Sequence, residues 1–278
     1  MPKSKSTLIA IGGGEISESR EILDLILDRL KRKREARMVV MTVATSDPKG
    51  AAKKYIDLFE AEGIKNVDAV DVSVREDAFS EAAMEVIRKA DGLFFTGGDQ
   101  LNITSLLGGS PLDNVINQRL SEGIVIAGTS AGAAMMSSSM IVSGGSDASP
   151  KVSGVKIAPG MDLIDGVIID SHFSQRGRHG RLLTAIAHYP QVLGIGIDEK
   201  TALVQTNGSF KVVGEGVVTV MDGSRMKHSD LPFRRDNENI GMFGVEVNVL
   251  PSGYSYILED RKPVAPELSK MAGTEDEV

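Results

Sequence analysis

The chain has 278 residues, enough to bury a sizeable core as one large α/β domain or two small ones. It has no cysteine, which excludes disulfides, thiolate nucleophiles and Cys/His zinc sites, so any nucleophile must be an oxygen or a lysine. A formal charge of −7 argues against a nucleic-acid partner, and the lack of tryptophan argues against stacking platforms for bases or sugars.

The opening MPKSKSTLIAIGGGE has too few apolar residues before its glycines for a signal-peptide core or a membrane span, so a cytoplasmic protein with no membrane partner is expected. TLIAI reads as a strand that runs into Gly12, Gly13 and Gly14, and EILDLILDRLKRK as the amphipathic helix after it. The glycine turn lacks the third glycine of a dinucleotide fingerprint, Ser17 standing in its place, so no nucleotide is expected. Two more strand-then-helix units follow, RMVVMTVA with KKYIDLFEAEG and VDAVDV with DAFSEAAMEVIRKA. Such alternation predicts a parallel sheet covered on both faces.

Next, DGLFF runs into TGGDQ, helical turns follow in LNITSLLGG and PLDNVINQRLSEG, and IVIAG is a further strand. A helix over AGAAMMSSS is expected directly after Ser130, and IVSGGSDASPK has the composition of a mobile loop. GVIID, the arginine-rich helix GRHGRLLTAIAHYP and VLGIGID are expected to extend the sheet. From about residue 200 the runs TALVQT, SFKVVGEG, VVTVMDG and GVEVNVLPSG have no helix between them, which predicts an antiparallel edge on the main sheet. Residues 230–244 are a connecting loop or part of a subunit contact. Residues 1–264 read as one α/β domain, and 265–278 as a disordered acidic tail.

One short stretch carries chemistry: Gly128-Thr129-Ser130-Ala131-Gly132 joins a predicted strand to a predicted helix. In that setting small neighbours permit a strained turn that lifts the serine hydroxyl clear of the backbone, and the Ala131 N–H at the helix start is a natural oxyanion donor. Gly97 and Gly98, after the preceding strand, can bring a second N–H to the same place. A serine needs a base, and the imidazoles are His172, His179, His188 and His228. His172 stands just past the C-terminal end of a predicted strand, where open α/β sheets place their ligands, and is the favoured base. The acid that orients it is Asp198, Glu199 or Asp147; strand alternation lets only one of Asp198 and Glu199 face the site. The basic cluster SQRGRHGR runs against the acidic balance of the chain and suggests a small anionic ligand.

Four stretches, FFTGGDQLNITSLL, GTSAGAAMMSSSMIVSG, IDSHFSQRGRHGRLLTAI and GIGIDEKTALV, in this order and spacing, resemble the cyanophycinase and aspartyl dipeptidase family of serine peptidases. The resemblance implies a flavodoxin-like three-layer α/β sandwich, related to class I glutamine amidotransferases, with Ser130 as nucleophile, His172 as base and Glu199 as the orienting acid. With this triad, the N–H groups near Gly98 and Ala131 read from the strand-end loops are the expected oxyanion hole. The resemblance places Gln100, Asp170, Arg176, Arg178 and Arg181 against the substrate, with Ser171 beside them where the family has another residue; Asp170 could hold an amine or guanidinium, and the three-residue spacing of Arg178 and Arg181 puts them on one helix face. The implied substrate is cyanophycin, a polyaspartate with arginine joined through each β-carboxyl, cut to β-aspartyl-arginine by a homodimer that needs no metal or organic cofactor. Cyanophycinases commonly read Asp-Gln-His where this chain has Asp170-Ser171-His172, which makes short β-aspartyl or aspartyl peptides the alternative substrate. Two more distant readings are an esterase of the α/β-hydrolase type, whose acid usually precedes its histidine, and a non-catalytic binder of Arg- or Asp-rich ligands.

Overall fold

The computed structural model describes residues 6–31, 35–145 and 149–267. TLIAI has no polar alternation, as befits a strand covered on both faces, and it forms β1 (Thr7–Ile11) with all five residues buried. There follow α1 (Arg20–Leu30), β2 (Arg37–Met41), α2 (Pro48–Ala61), β3 (Asn66–Val70), α3 (Glu81–Arg88), β4 (Gly92–Phe95), α4 (Gln100–Leu107), α5 (Pro111–Glu122) and β5 (Val125–Thr129). The helices begin where their caps stand: Asp47, Ser80, Asp99 and Ser110 each accept a backbone N–H from the first turn. β1, β5, β4, β2 and β3 lie side by side in parallel.

After β5 the chain makes only one turn of helix, α6 (Ala131–Ala134), shorter than AGAAMMSSS led one to expect. The serines end it by bonding to backbone: the Ser137 hydroxyl donates to Ala134 O (3.0 Å) and accepts from Ile169 N (2.9 Å). The chain then enters β6 (Ser139–Gly144), paired antiparallel with β7 (Val155–Pro159), so the predicted mobile loop is a hairpin on both sides of residues 146–148, which lie outside the described residues.

β8 (Val167–Ser171), α7 (His179–His188), β9 (Leu193–Ile197), β10 (Thr201–Thr206), β11 (Ser209–Gly214) and β12 (Val217–Asp222) come next. Here the expected order changes. β10 pairs antiparallel with β1, and β11 with β10, occupying the edge that β8 and β9 would have needed to extend the main sheet. β8 and β9 instead pair in parallel with each other. β12 adds antiparallel to β9. A short ribbon, β13 (His228–Ser229) with β14 (Met242–Phe243), leads to β15 (Glu246–Pro251) on the far side of β12. The C-terminal runs thus divide between two sheets. β16 (Ser255–Ile257) and β17 (Lys262–Val264) return to β11, which completes a nine-stranded sheet of order β17-β16-β11-β10-β1-β5-β4-β2-β3 beside a four-stranded one of order β15-β12-β9-β8. Residues 230–244 comprise the arm between β13 and β14, β14 itself and Gly244, the arm tied down by Ile240 N donating to Pro150 O at 2.9 Å. The expected tail lies outside the described residues beyond residue 267.

On one face of the main sheet, α1 and α2 cover Ile9, Ile11, Val40 and Phe94. On the other, Val39, Phe95 and Ile126 share a continuous core with Ile169, Ile195 and Ile197 of the second sheet. α7 closes the outer face of that sheet through Leu182 and Ile186. This layered α/β sandwich brings the C-terminal ends of β1, β4, β5, β8 and β9 to one place.

Candidate active site

Ser130 follows β5 in a conformation few L-residues adopt, φ 54° and ψ −108°. Its N–H donates to Ile11 O (3.0 Å), and its carbonyl accepts from Ala133 N and Ala134 N, both at 3.0 Å. The flanking glycines permit close approach: a Cβ on Gly128 would stand 2.2 Å from Gly132 O, and one on Gly132 would stand 2.4 Å from Phe95 O. Gly98 (φ +142°) is held against loop 42–47, where a Cβ would meet Ala44 O at 2.0 Å. The N–H groups of Gly98 and Ala131 donate to no described residue.

His172 also takes a positive φ, 48°. Its Nε2 lies 2.9 Å from Ser130 Oγ, and its Nδ1 lies 2.6 Å from Glu199 Oε1. A carboxylate only accepts, so Nδ1 carries the proton toward Glu199 and Nε2 accepts from the serine hydroxyl. Burial pushes the imidazole below its ordinary value of 6.5, the charges of Arg176 and Arg178 push the same way, and Glu199 opposes them. Of the other candidate acids, Asp198 points away: it accepts from Ser174 N (3.0 Å) and Val217 N (3.3 Å) and ties the turn after His172 to β12. Asp147 lies outside the described residues. His179 packs on Phe173, His188 faces Val152 O and His228 stacks on Phe243, all apart from Ser130.

Sequence reasoning missed what the first glycine loop does. The carbonyls of Ile11, Gly12 and Gly13 accept in turn from Ser130 N (3.0 Å), His172 N (2.6 Å) and Lys200 N (2.9 Å), so the end of β1 sets the relative positions of all three loops. A Cβ on Gly13 would stand 2.1 Å from His172 Cε1, so the imidazole occupies the space that a side chain there would fill. Three glycines at a strand end were the available signal. Gln175 was also missed; its Oε1 accepts from Glu199 N at 3.0 Å, and nothing in its sequence setting marks it.

Gln100, Asp170, Ser171, Arg176, Arg178 and Arg181 line one pocket of about 140 Å³ together with Ser130 and Gly98. Gln100 donates to Ile141 O (2.6 Å), which joins the start of α4 to β6. The sequence suggested that Asp170 holds an amine or guanidinium of the ligand; at 2% exposed, it instead holds the guanidinium groups of the chain's own arginines. Arg181 grips both of its oxygens, with Nε to Oδ2 at 2.6 Å and Nη2 to Oδ1, and Arg178 Nη1 adds a 3.2 Å bond to Oδ1. Arg178 precedes α7 rather than sharing a helical face with Arg181; their common partner is this carboxylate. Burial pulls the Arg178 guanidinium down to about 10, so it stays charged at neutral pH. Arg176 is exposed, and its guanidinium makes no hydrogen bond or ion pair among the described residues. Three guanidinium groups against the one carboxylate of Asp170 leave the pocket net positive, fit for carboxylates. Among the described residues no cluster of three His, Asp or Glu could hold a metal ion, and no helix is long and apolar enough to cross a membrane.

The profile of Peptidase family S51 matches residues 8–213. The chain belongs to peptidase family S51. Within the reach of that family, it is 36% identical over 272 residues to the cyanophycinases of Trichormus variabilis and of Nostoc sp., covering 97% of this chain and 91% of each relative. Among solved structures, a peptidase from an acI-B1 Actinobacterium shares the fold with a TM-score of 0.65, at 19% identity, covering 94% of this chain and 96% of that one. The S51 peptidase fold is the α/β sandwich expected from the strand and helix alternation.

Proposed function

We propose that this S51 peptidase hydrolyses the polyaspartate backbone of cyanophycin and releases β-aspartyl-arginine through an acyl-enzyme on Ser130. The observation that carries this reading is the hydrogen-bonded chain Ser130–His172–Glu199 opening into an arginine-lined pocket. His172 Nε2 takes the hydroxyl proton as Ser130 Oγ attacks the aspartyl carbonyl carbon, and Glu199 stabilises the imidazolium that forms. The Gly98 and Ala131 N–H groups hold the oxyanion. His172 then gives its proton to the leaving amine. A water, deprotonated by the same nitrogen, cleaves the ester, and Ser130 regains its proton.

The depressed imidazole value supports this role, because a base must be neutral at the working pH. Arg176, with no partner among the described residues, takes a substrate carboxylate; Arg178 and Arg181, anchored by Asp170, supply fixed positive charge. Ser171, a short side chain in the pocket wall, favours as a second reading the hydrolysis of short β-aspartyl peptides. The proposal includes a homodimer, for which the exposed Val247 and Val249 on edge strand β15 offer an apolar contact, and a cytoplasmic setting, since a chain without cysteine needs no oxidising compartment. A serine-directed phosphonate tests the mechanism: peptide mass mapping should find the adduct on Ser130 in the wild type and none in His172→Ala. An adduct on another serine overturns the assignment.

A further inference from the structure

A second cavity, about 280 Å³, opens on the same edge of the main sheet as the pocket at Ser130, past the ends of β2 and β3. Its polar wall comprises Thr45, Ser46, Asp71, Ser73, Asn102 and Ser105. Among the described residues, Asp71 is the one charged residue lining it. The carboxylate is exposed yet fixed, accepting from Thr42 Oγ1 (3.0 Å) and Ser73 Oγ (2.7 Å), which leaves each oxygen a lone pair for a further donor. The nearby Arg75 turns its guanidinium to the carbonyls of Ser105 (3.3 Å) and Leu106 (2.8 Å) instead.

The cavity and the active-site pocket share a wall. Loop 42–47 and the start of α2 line the cavity with Val43, Thr45, Ser46 and Pro48, while Ala44 between them accepts from Asp99 N (2.8 Å) and packs against Gly98, which lines the pocket together with Ser130. Strand order gives the span. Ser130 follows β5 and Asp71 follows β3, three steps away through β4 and β2, or about 14 Å at the usual strand spacing. An extended peptide advances roughly 3.4 Å per residue, so the cavity stands about four residues from the bond cut at Ser130. In cyanophycin every backbone residue carries an arginyl branch, and the two sites then divide its charges: guanidinium groups at Ser130 face carboxylates, and the carboxylate of Asp71 faces a guanidinium.

We propose that this cavity is a distal subsite for a guanidinium-bearing branch of an extended substrate, with Asp71 as its acceptor. The proposal rests on the cyanophycin reading and deepens it, since it supplies a reason for a long chain to be bound better than a short one. A dimer of β-aspartyl-arginine reaches the cavity only with one branch, about 11 Å over nine bonds, fully stretched along the sheet edge, whereas the polymer offers several branches that reach it relaxed.

The test compares wild type, Asp71→Asn and Ser105→Arg, the last placing a guanidinium in the cavity to occupy Asp71, on soluble cyanophycin and on the β-aspartyl-arginine dimer. Both variants should lower kcat/KM on the polymer about fivefold, the size of one exposed charge-assisted contact, through KM, and leave the dimer within twofold. In a Ser130→Ala background, Asp71→Asn should weaken polymer binding by the same factor. Equal losses on polymer and dimer, or no loss on the polymer, overturn the subsite while leaving the cyanophycin reading intact. A wild type that cuts the dimer and not the polymer overturns that reading, and the subsite with it.

Discussion

Replacing Gly13 with alanine puts a methyl group where the His172 imidazole lies. The added Cβ would stand 2.1 Å from His172 Cε1 and 2.6 Å from both ring nitrogens, whereas carbon atoms in contact rest at about 3.5 Å. The ring must therefore retreat by about 1.4 Å. It cannot do so and keep bonds of 2.9 Å to Ser130 and 2.6 Å to Glu199. Misplacement by about 1 Å costs on the order of a hundredfold in rate, and that loss should fall on kcat, because the arginines proposed to meet substrate are untouched. Gly13 also has φ +115°, so alanine adds backbone strain of about 1–2 kcal/mol and lowers the melting temperature by a few degrees. Gly14→Ala isolates that strain: φ is +82°, but the new Cβ would press only on the flexible Lys200 side chain, at 3.3 Å, and would stand at ordinary contact distance from Lys200 N (3.4 Å) and Glu199 Cβ (3.7 Å). Steady-state kinetics with thermal melts should show both variants comparably destabilised and only Gly13→Ala slowed. Equal kcat in the two, or a loss carried by KM, would refute the reasoning.

Asp170→Ala removes the shared partner of the buried Arg181 and the half-buried Arg178 and should cost about 3–5 kcal/mol in urea unfolding; a variant within about 1 kcal/mol of wild type would show that the pair is not formed. Burial holds the His172 imidazole below 6.5 and the like charge of Arg176 adds to it, so Arg176→Ala should move the acid limb of kcat/KM part of the way up toward that value while Arg176→Lys leaves it in place. A limb that moves down, or moves equally in both, contradicts the sign.

The strand and helix alternation was legible because it rests on local apolar patterning, as in TLIAI and EILDLILDRL, and it carried the parallel core of the fold. Which sheet a strand joins is a matter of competition for edges. Nothing local to VLGIGID says that TALVQT will take the edge of β1 first. At the site, the serine turn and His172 stood out because their glycines and strand-end position are local signals. The choice of Glu199 over Asp198 came only from resemblance, since alternation states that the two diverge and not which one faces in. The geometry puts Glu199 on the imidazole and spends Asp198 on backbone N–H groups. Asp170 was open to misreading because its partners, 8 and 11 residues on, meet it only when α7 folds back over β8.

The central claim is tested most directly by the release of soluble β-aspartyl-arginine from purified cyanophycin, measured for the wild type and for Ser130→Ala in parallel. The account predicts steady release by the wild type and a rate lower by on the order of ten-thousand-fold or more in the variant. Release that survives the substitution, or a folded wild type that releases none, would contradict it.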